Sequence, residues 1–388
     1  MLRDLRLGLS LSLSGRYAAM GKQAEAGIRQ FIADTNTGDG VTIDGSRYQL
    51  ALECYDDQSR ADRAIEIYQD LCRDHRCDLI FGPYSSDLTR AVVPITERAG
   101  MVLLNHGGAD DSLHNQGYRM IVSILSPASD YLVGFIDLLA TLKFWRKRLA
   151  IAHLPTPFAE TIVGGVERAI AARRIWLRGV RLRAKYRGRF DPENTPAEIS
   201  RLFRRYRINA FGSAGSYDYD VAMMRLATAS HHNIPVLSCI AAGATRFGED
   251  LGDDAEGIVG PSQWEPELEI HPELGPSPIN FTHRIGSAAS DYPAAQIYAA
   301  GLTAIEALRV AGSLDQGKLR EALGDLRTTT LFGDFAIDRV TGRQIGHKLL
   351  LVQWHEGHKA IIPRQGDPGS GELTFPSRRS WMILPRRD

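Results

Sequence analysis

Two short stretches carry polar groups of the kind that hold small molecules. In the first, Gly82-Pro83-Tyr84-Ser85-Ser86 follows the apolar run Leu79-Ile80-Phe81 and opens a helical pattern running from Ser86 to Arg98. A serine at a helix start accepts one of the free backbone N–H groups. The remaining N–H groups, with the helix dipole, favour a carboxylate or carbonyl oxygen. The same serine serves equally as a plain N-cap. In the second stretch, Asn105-His106-Gly107-Gly108 follows Val102-Leu103-Leu104. Paired glycines let a ligand approach the backbone and reach its N–H and C=O groups, although an ordinary strand-to-loop turn uses glycines too. His106 reads either as a polar contact or as a loop histidine satisfied by its neighbours.

Neither stretch makes a catalytic constellation. The chain has no GxSxG elbow, no complete GxxxxGK[ST] phosphate loop, no dinucleotide GxGxxG and no HExxH. His355-Glu356-Gly357-His358 is one residue short of the zinc-helix spacing and falls in a turn after a strand. With no nucleophile–base pair, an enzyme is not expected, and neither is a cofactor or a metal site. The four cysteines, Cys54, Cys72, Cys77 and Cys239, make neither a disulfide scaffold nor a set of zinc ligands. They read as buried free thiols, with a Cys72–Cys77 bridge as the alternative.

The elements that must position these groups alternate regularly. Strand-like Leu5–Leu11 leads to a helix over Met20–Asn36, with Ala24, Ile28, Phe31 and Ile32 on one face. A strand over Tyr48–Tyr55, a helix over Arg60–Asp74, and short buried strands at Leu79–Phe81, Val102–Leu104 and Met120–Val122 continue the pattern. Around Ser123–Ser129 the rhythm breaks and then restarts. Strands at Leu149–His153, Val180–Tyr186 and Val236–Cys239 alternate with helices at Tyr131–Leu142, Phe158–Ala172, Pro196–Tyr206 and Tyr219–Ser230. Gly257–Gly260 reads as another strand and Pro293–Val310 as a long helix. Leu331–Ile337 and Lys348–Trp354 read as strands flanking a hairpin turn at 338–342. Strand–helix alternation with short apolar strands implies an α/β protein made of two doubly wound parallel-sheet domains.

Composition agrees with that class. The chain has 388 residues, too many for one ordinary core, and its 46 basic residues balance its 46 acidic ones. No long-range field argues for nucleic acid or an acidic membrane. The basic stretch Arg173–Arg189 contains an alternation of Val180, Leu182, Ala184 and Tyr186 with charged residues, which reads as a strand with one solvated face. No apolar run reaches the roughly 20 residues of a membrane span, so the protein is not expected to cross a bilayer. Nothing at the start reads as a signal peptide, which leaves a cytoplasmic protein or a secreted one whose leader has been removed.

Three segments together carry a family likeness. They are Leu13-Ser14-Gly15-Arg16-Tyr17-Ala18-Ala19-Met20-Gly21, then Tyr55-Asp56-Asp57-Gln58-Ser59, then Leu79-Ile80-Phe81-Gly82-Pro83-Tyr84-Ser85-Ser86 with its continuation through Ala109. In order and spacing the chain resembles the type I periplasmic binding proteins of the branched-chain amino-acid and amide-binding group, the substrate-binding components of ABC transporters. The resemblance implies two lobes joined by a three-strand hinge, residues 1–122 plus 249–327 and residues 123–248 plus 328–388, closing on a small-molecule ligand. It implies an ABC permease as membrane partner and a periplasmic or other extracytoplasmic location. A cytoplasmic ligand sensor of the amide-binding type is the alternative.

The resemblance also assigns residues. Ser86, with Ser85 beside it, falls where the family holds the ligand's carboxylate, and Gly107, Gly108 and Ala109 fall at further ligand contacts. Ala109 stands where a hydroxyl residue is usual and cannot donate. Tyr17, Met20 and Tyr84 would wall the first-lobe side. From the second lobe, Phe158 and the Ser216-Tyr217-Asp218 loop would supply aromatic contacts. The acid expected for an α-amino group, near Ile240-Ala241-Ala242-Gly243, is missing. Asp218 is the carboxylate placed to replace it. The ligand class expected is therefore an amino acid, an amide or a carboxylate, with a plain α-amino acid disfavoured.

Overall fold

The computed structural model describes residues 2–38, 40–142, 148–173, 195–230 and 234–363. The expected strand at Val180–Tyr186, with most of the basic stretch, lies outside the described residues. The chain forms two compact units: residues 1–127 with 263–348, and residues 128–262 with 349–388.

In the first unit, β1 (Arg3–Leu11), β2 (Val41–Ile43), β3 (Ser46–Asp56), β4 (Leu79–Phe81), β5 (Leu103–Asn105) and β6 (Ile121–Ser123) form one sheet. Its order is β2-β3-β1-β4-β5-β6, parallel throughout except for the antiparallel β2–β3 pair. Leu5, Leu7, Leu9 and Leu11 of β1 are fully buried, and so is Ser10 between them. A strand buried on both faces belongs in the middle of a parallel sheet covered by helices. Those helices include α1 (Ala18–Thr37), α2 (Ala61–Leu71) and α3 (Ser86–Arg98).

In the second unit, α4 (Val133–Thr141), β7 (Leu149–His153), α5 (Pro157–Ala172), α6 (Thr195–Tyr206), β8 (Ala210–Ala214), α7 (Tyr217–Ala229), β9 (Val236–Cys239), α8 (Arg246–Leu251) and β10 (Val259–Ser262) follow in sequence. The strands β7 to β10 pair in parallel. The chain then returns to the first unit for α9 (Pro278–Ile285), α10 (Tyr292–Ala311), α11 (Gln316–Asp325) and a small ribbon, β11 (Thr328–Thr330) with β12 (Gly333–Phe335). It ends the described fold with β13 (Leu350–His355) and β14 (His358–Ile362), which extend the second sheet in antiparallel fashion.

Two expectations are corrected. The divisions between units fall later in the chain than 122, 248 and 327. Residues 249–262 belong to the second unit because β10 pairs with both β9 and β13. Residues 328–348 belong to the first, because Trp264 Nε1 donates to Leu331 O at 2.8 Å and Ser123 N donates to Gly342 O at 2.9 Å. Gly342, at φ +71°, lies so close to β6 that a Cβ there would sit 1.8 Å from Ile121 O.

The second correction concerns Leu331–Ile337, which is not one strand. The chain reverses at Leu331-Phe332, with Gly333 at φ +111°, and β12 folds back on β11. The strand expected at Lys348–Trp354 exists as β13, but its hairpin partner is β14. Glu356 and Gly357, both at positive φ, make that two-residue turn, and this is where the short His355–His358 motif resides. All four cysteines are free thiols, and Cys72 and Cys77 are unbridged.

Candidate ligand-binding site

In the first unit the loops at the carboxyl ends of the parallel strands come together, the edge at which open α/β sheets take up ligands. The loop after β1 is held by two neighbouring carboxylates at the end of β3. Asp57 is buried and accepts Ser10 Oγ at 2.8 Å, Ser12 Oγ at 2.6 Å and Ser59 N at 2.9 Å. Asp56 accepts Leu13 N at 2.9 Å and Ser14 Oγ at 2.7 Å. Ser59 Oγ then accepts Tyr17 N at 3.1 Å. The Asp56-Asp57 pair thus sets the position of Tyr17 at the start of α1.

Tyr17 packs edge-on against Tyr84, with ring centroids 6.1 Å apart, and carries the Arg16 guanidinium over its other side at 4.5 Å. Burial raises the Tyr17 phenol, with Arg16 opposing. Tyr84 Oη lies 2.5 Å from Tyr292 Oη, and Tyr292 Oη lies 4.0 Å from Met20 Sδ. Tyr17, Met20 and Tyr84, expected as one wall, are therefore joined, with Tyr292 added to them. Sequence reasoning passed over Tyr292 because its position at the head of α10 reads as a helix start; Asp291 caps that helix by accepting Tyr292 N.

Ser85 and Ser86 divide the labour expected of a single serine. Ser85, at φ +106°, is the N-cap of α3 and accepts Leu88 N at 3.3 Å. Ser86 instead reaches the loop after β5, where its Oγ accepts the N–H groups of Ala109 and Asp110, each at 3.1 Å. With two donors aimed at its oxygen, the Ser86 hydroxyl retains its own proton to give.

The glycines turn out to serve packing. A Cβ on Gly107 would sit 2.6 Å from Pro83 O and 2.7 Å from Tyr84 Cα, and one on Gly108 would meet Thr89 Oγ1 at 2.6 Å. The polar groups of Gly108 are occupied, its N–H by Asn105 Oδ1 and its C=O by Asn105 Nδ2. Gly107 O accepts Ser85 N at 3.3 Å. Among the described residues, the Gly107 N–H has no partner. His106 is not satisfied by its neighbours: it is fully buried, and both ring nitrogens lack a hydrogen-bond partner among the described residues. Burial lowers its pKa to about 4, so it stays neutral near pH 7.

In the second unit, Phe158 is half-buried at the head of α5 and packs edge-on against Tyr131, with centroids 5.7 Å apart. Tyr217 donates its hydroxyl to Asp250 at 2.7 Å beneath the Arg246 guanidinium, which lies 5.0 Å from its ring centre. Burial and Asp250 both raise that phenol. Asp218 is exposed on the first turn of α7. The buried acid nearby is Asp220, which accepts Ser213 Oγ at 2.8 Å and Ala241 N at 3.1 Å. Burial raises it to about 7, against those hydrogen bonds. The Ile240–Gly243 turn carries no carboxylate. Among the described residues no group of three His, Cys, Asp or Glu side chains is placed to hold a metal.

The family model for periplasmic binding proteins matches residues 4–359. The chain belongs to that family. A Leu/Ile/Val-binding protein of Citrobacter freundii is 24% identical over 165 residues, which is 42% of this chain and 43% of that protein. The match therefore spans less than half the length of the curated relative. Among solved structures, the branched-chain amino-acid transporter substrate-binding protein of Streptococcus pneumoniae with isoleucine has a TM-score of 0.76 at 16% identity, covering 92% of this chain and 99% of its own. A solute-binding protein of an ABC transporter from R. palustris with benzoate has a TM-score of 0.74 at 17% identity, covering 92% and 95%. The fold is that of the type I periplasmic binding proteins.

Proposed function

We propose that this protein is the solute-binding receptor of an ABC transporter and that its ligand is a small organic carboxylate without an α-amino group. The observation that carries the reading is the donor set around the head of α3. Ser86 at the head of α3 and Gly107, whose N–H has no partner among the described residues, lie beside Tyr84, which is joined to Tyr17 and Tyr292. Donors with a helix dipole favour an anion, and the aromatic wall favours a flat or apolar body. From the second unit the reading takes Phe158 and Tyr217, while Asp220, the one buried acid among that unit's described residues, is already engaged by Ser213 and the backbone. An extracytoplasmic location, a permease partner and closure of the two units on the ligand belong to this reading, and so does the absence of catalysis. Among solved relatives, isoleucine and benzoate complexes are both known, so the family accommodates either class.

A thermal-shift screen of leucine, isoleucine, benzoate, 4-hydroxybenzoate and small amides tests the ligand. A compound at 100 times its Kd stabilises the protein by about 2.7 kcal/mol. Small-angle scattering on the best compound then tests closure through the radius of gyration. A calorimetrically confirmed ligand that leaves the radius unchanged removes the closing motion from the proposal.

A further inference from the structure

The chain passes between its two units three times, after residues 127, 262 and 348. The residue just before Pro127, the residue just after Ser262 and the residue just before Lys348 are Ser126, Gln263 and His347, and all three are buried. They form one hydrogen-bonded knot inside the first unit. Ser126 N donates to Gln263 Oε1 at 3.2 Å, and Gln263 Nε2 returns a bond to Ser126 O at 3.2 Å. His347 Nδ1 lies 2.6 Å from Ser126 Oγ, and His347 Nε2 lies 3.0 Å from Gln263 O.

A carbonyl oxygen only accepts, so Nε2 carries a proton and donates to Gln263. The imidazole thereby spans the first and second crossings while its own backbone is the third. Its plane is fixed by Phe332, stacked at 4.4 Å with the rings 12° apart. Gln344 extends the knot by donating Nε2 to Ile124 O at 3.0 Å and accepting Gly346 N at 2.8 Å.

Three segments far apart in sequence have no covalent reason to move together. Side-chain bonds to backbone at all three crossings make them a single block. Pro127 follows directly, with no N–H to give and a fixed φ. On the far side, β10 and β13 pair from Ser262 and Leu350 onward. We infer that His347 is a positioning residue for domain motion: with Ser126 and Gln263 it locks the three crossings on the first-unit side and confines bending to the few residues between this knot and the second unit. The inference rests on the proposed reading that the protein works by movement of its two units. Hinges are a few terminal residues that absorb the dihedral change, and this knot fixes where those residues begin.

The test needs no ligand. Spin labels on non-natural side chains at exposed Glu66 and Glu167, one in each unit, report the inter-unit distance distribution by double electron–electron resonance. The ligand-free protein is expected to give a narrow distribution, and Ser126→Ala and His347→Ala a broadened one. Hydrogen exchange should show residues 123–126, 263–265 and 344–347 losing protection together in either variant. Gln316→Ala is the control: it removes side-chain bonds to Val102 N and Asp78 O elsewhere in the first unit, and should leave the distribution narrow.

Folded variants with an unchanged distribution overturn the inference, as does equal broadening by Gln316→Ala, which would make the knot merely structural. If His347→Ala does not fold, Ser126→Ala, which keeps the imidazole, decides the matter alone. A ligand screen that finds no binder would sink the transport reading and leave these measurements standing.

Discussion

Ser86 Oγ accepts the backbone N–H of Asp110 at 3.1 Å, across 24 residues of sequence, and so fastens the loop after β5 to the head of α3. The bond gives Ser86 two tasks. As an acceptor it holds the loop, and on the proposed reading its remaining proton serves the ligand. Ser86→Ala should therefore weaken a carboxylate ligand by roughly 1.5–3 kcal/mol, the range for hydrogen bonds to charged groups, which is about tenfold or more in Kd. Unlike a pure contact residue, it should also lower the unfolding free energy, since Ala109 and Asp110 lose their acceptor. Calorimetry with benzoate, beside urea unfolding, checks both. A variant with wild-type affinity places the carboxylate elsewhere.

Gly107 should not tolerate even one methyl. The added Cβ would lie within 3 Å of two backbone atoms, Pro83 O and Tyr84 Cα, and backbone does not yield as a side-chain tip does. Gly107→Ala should cost on the order of 1–3 kcal/mol, as overpacking does, and should displace Tyr84 from Tyr292. Urea denaturation gives the first quantity. An unchanged midpoint would mean that the strand-end loops are looser than their contacts imply.

These two residues show where the sequence was informative. The helix over Ser86–Arg98 was legible to the residue, because capping serines and an apolar period are local signals. The strands Leu79–Phe81, Leu149–His153 and Val236–Cys239 were legible for the same reason. What the residues at the site touch was not. The glycines after β5 looked like backbone offered to a ligand, and the packing demand on them was hidden: close approach to Pro83 and Tyr84 at Gly107, and to Thr89 at Gly108. That approach joins two strand ends, and no local pattern encodes it. Tyr292 meets Tyr84 across 208 positions. The Leu331–Ile337 run fits a strand by composition, and only the positive φ at Gly333 reveals the reversal.

His106 and Asp220 should pull stability in opposite directions over nearly the same pH range. His106 has a folded pKa of about 4. Between roughly 6.5 and that value the unfolded chain takes a proton that the folded one refuses, so stability is lost as pH falls. Asp220 has a folded pKa of about 7. Between about 4 and that value the folded chain keeps a proton that the unfolded one has released, so stability is lost as pH rises. Each contributes a slope of about 1.4 kcal/mol per pH unit inside its window.

His106→Phe should leave a profile that falls from pH 4.5 to 7, and Asp220→Asn one that rises. Replacing a ring with two unbonded nitrogens by an apolar ring should itself cost little near pH 7. Urea midpoints at four pH values decide the question; two variants running parallel to wild type would show that neither group titrates as its burial implies.

Leucine should bind poorly, with a Kd of about a millimolar or weaker, and benzoate should bind better. On the proposed reading the carboxylates of both would meet Ser86 and Gly107 alike; the difference is the ammonium. Closing the units would take that ammonium out of water, and an unpaired buried charge costs several kcal/mol. A micromolar complex is worth only about 8 kcal/mol in total, against about 4 for a millimolar one. The groups that could repay the cost are few. The Ile240–Gly243 turn has no acid, and both oxygens of Asp220 are held by Ser213 and Ala241. Asp218, exposed on the first turn of α7, is the carboxylate that the family likeness offers an ammonium. Calorimetry with leucine, its deaminated analogue and benzoate, on wild type and Asp218→Asn, separates the cases. Weak leucine binding in both proteins, with stronger binding of the deaminated analogue, supports a ligand without an α-amino group. Micromolar leucine binding that disappears in Asp218→Asn would instead make Asp218 the ammonium partner and return the protein to the amino-acid receptors.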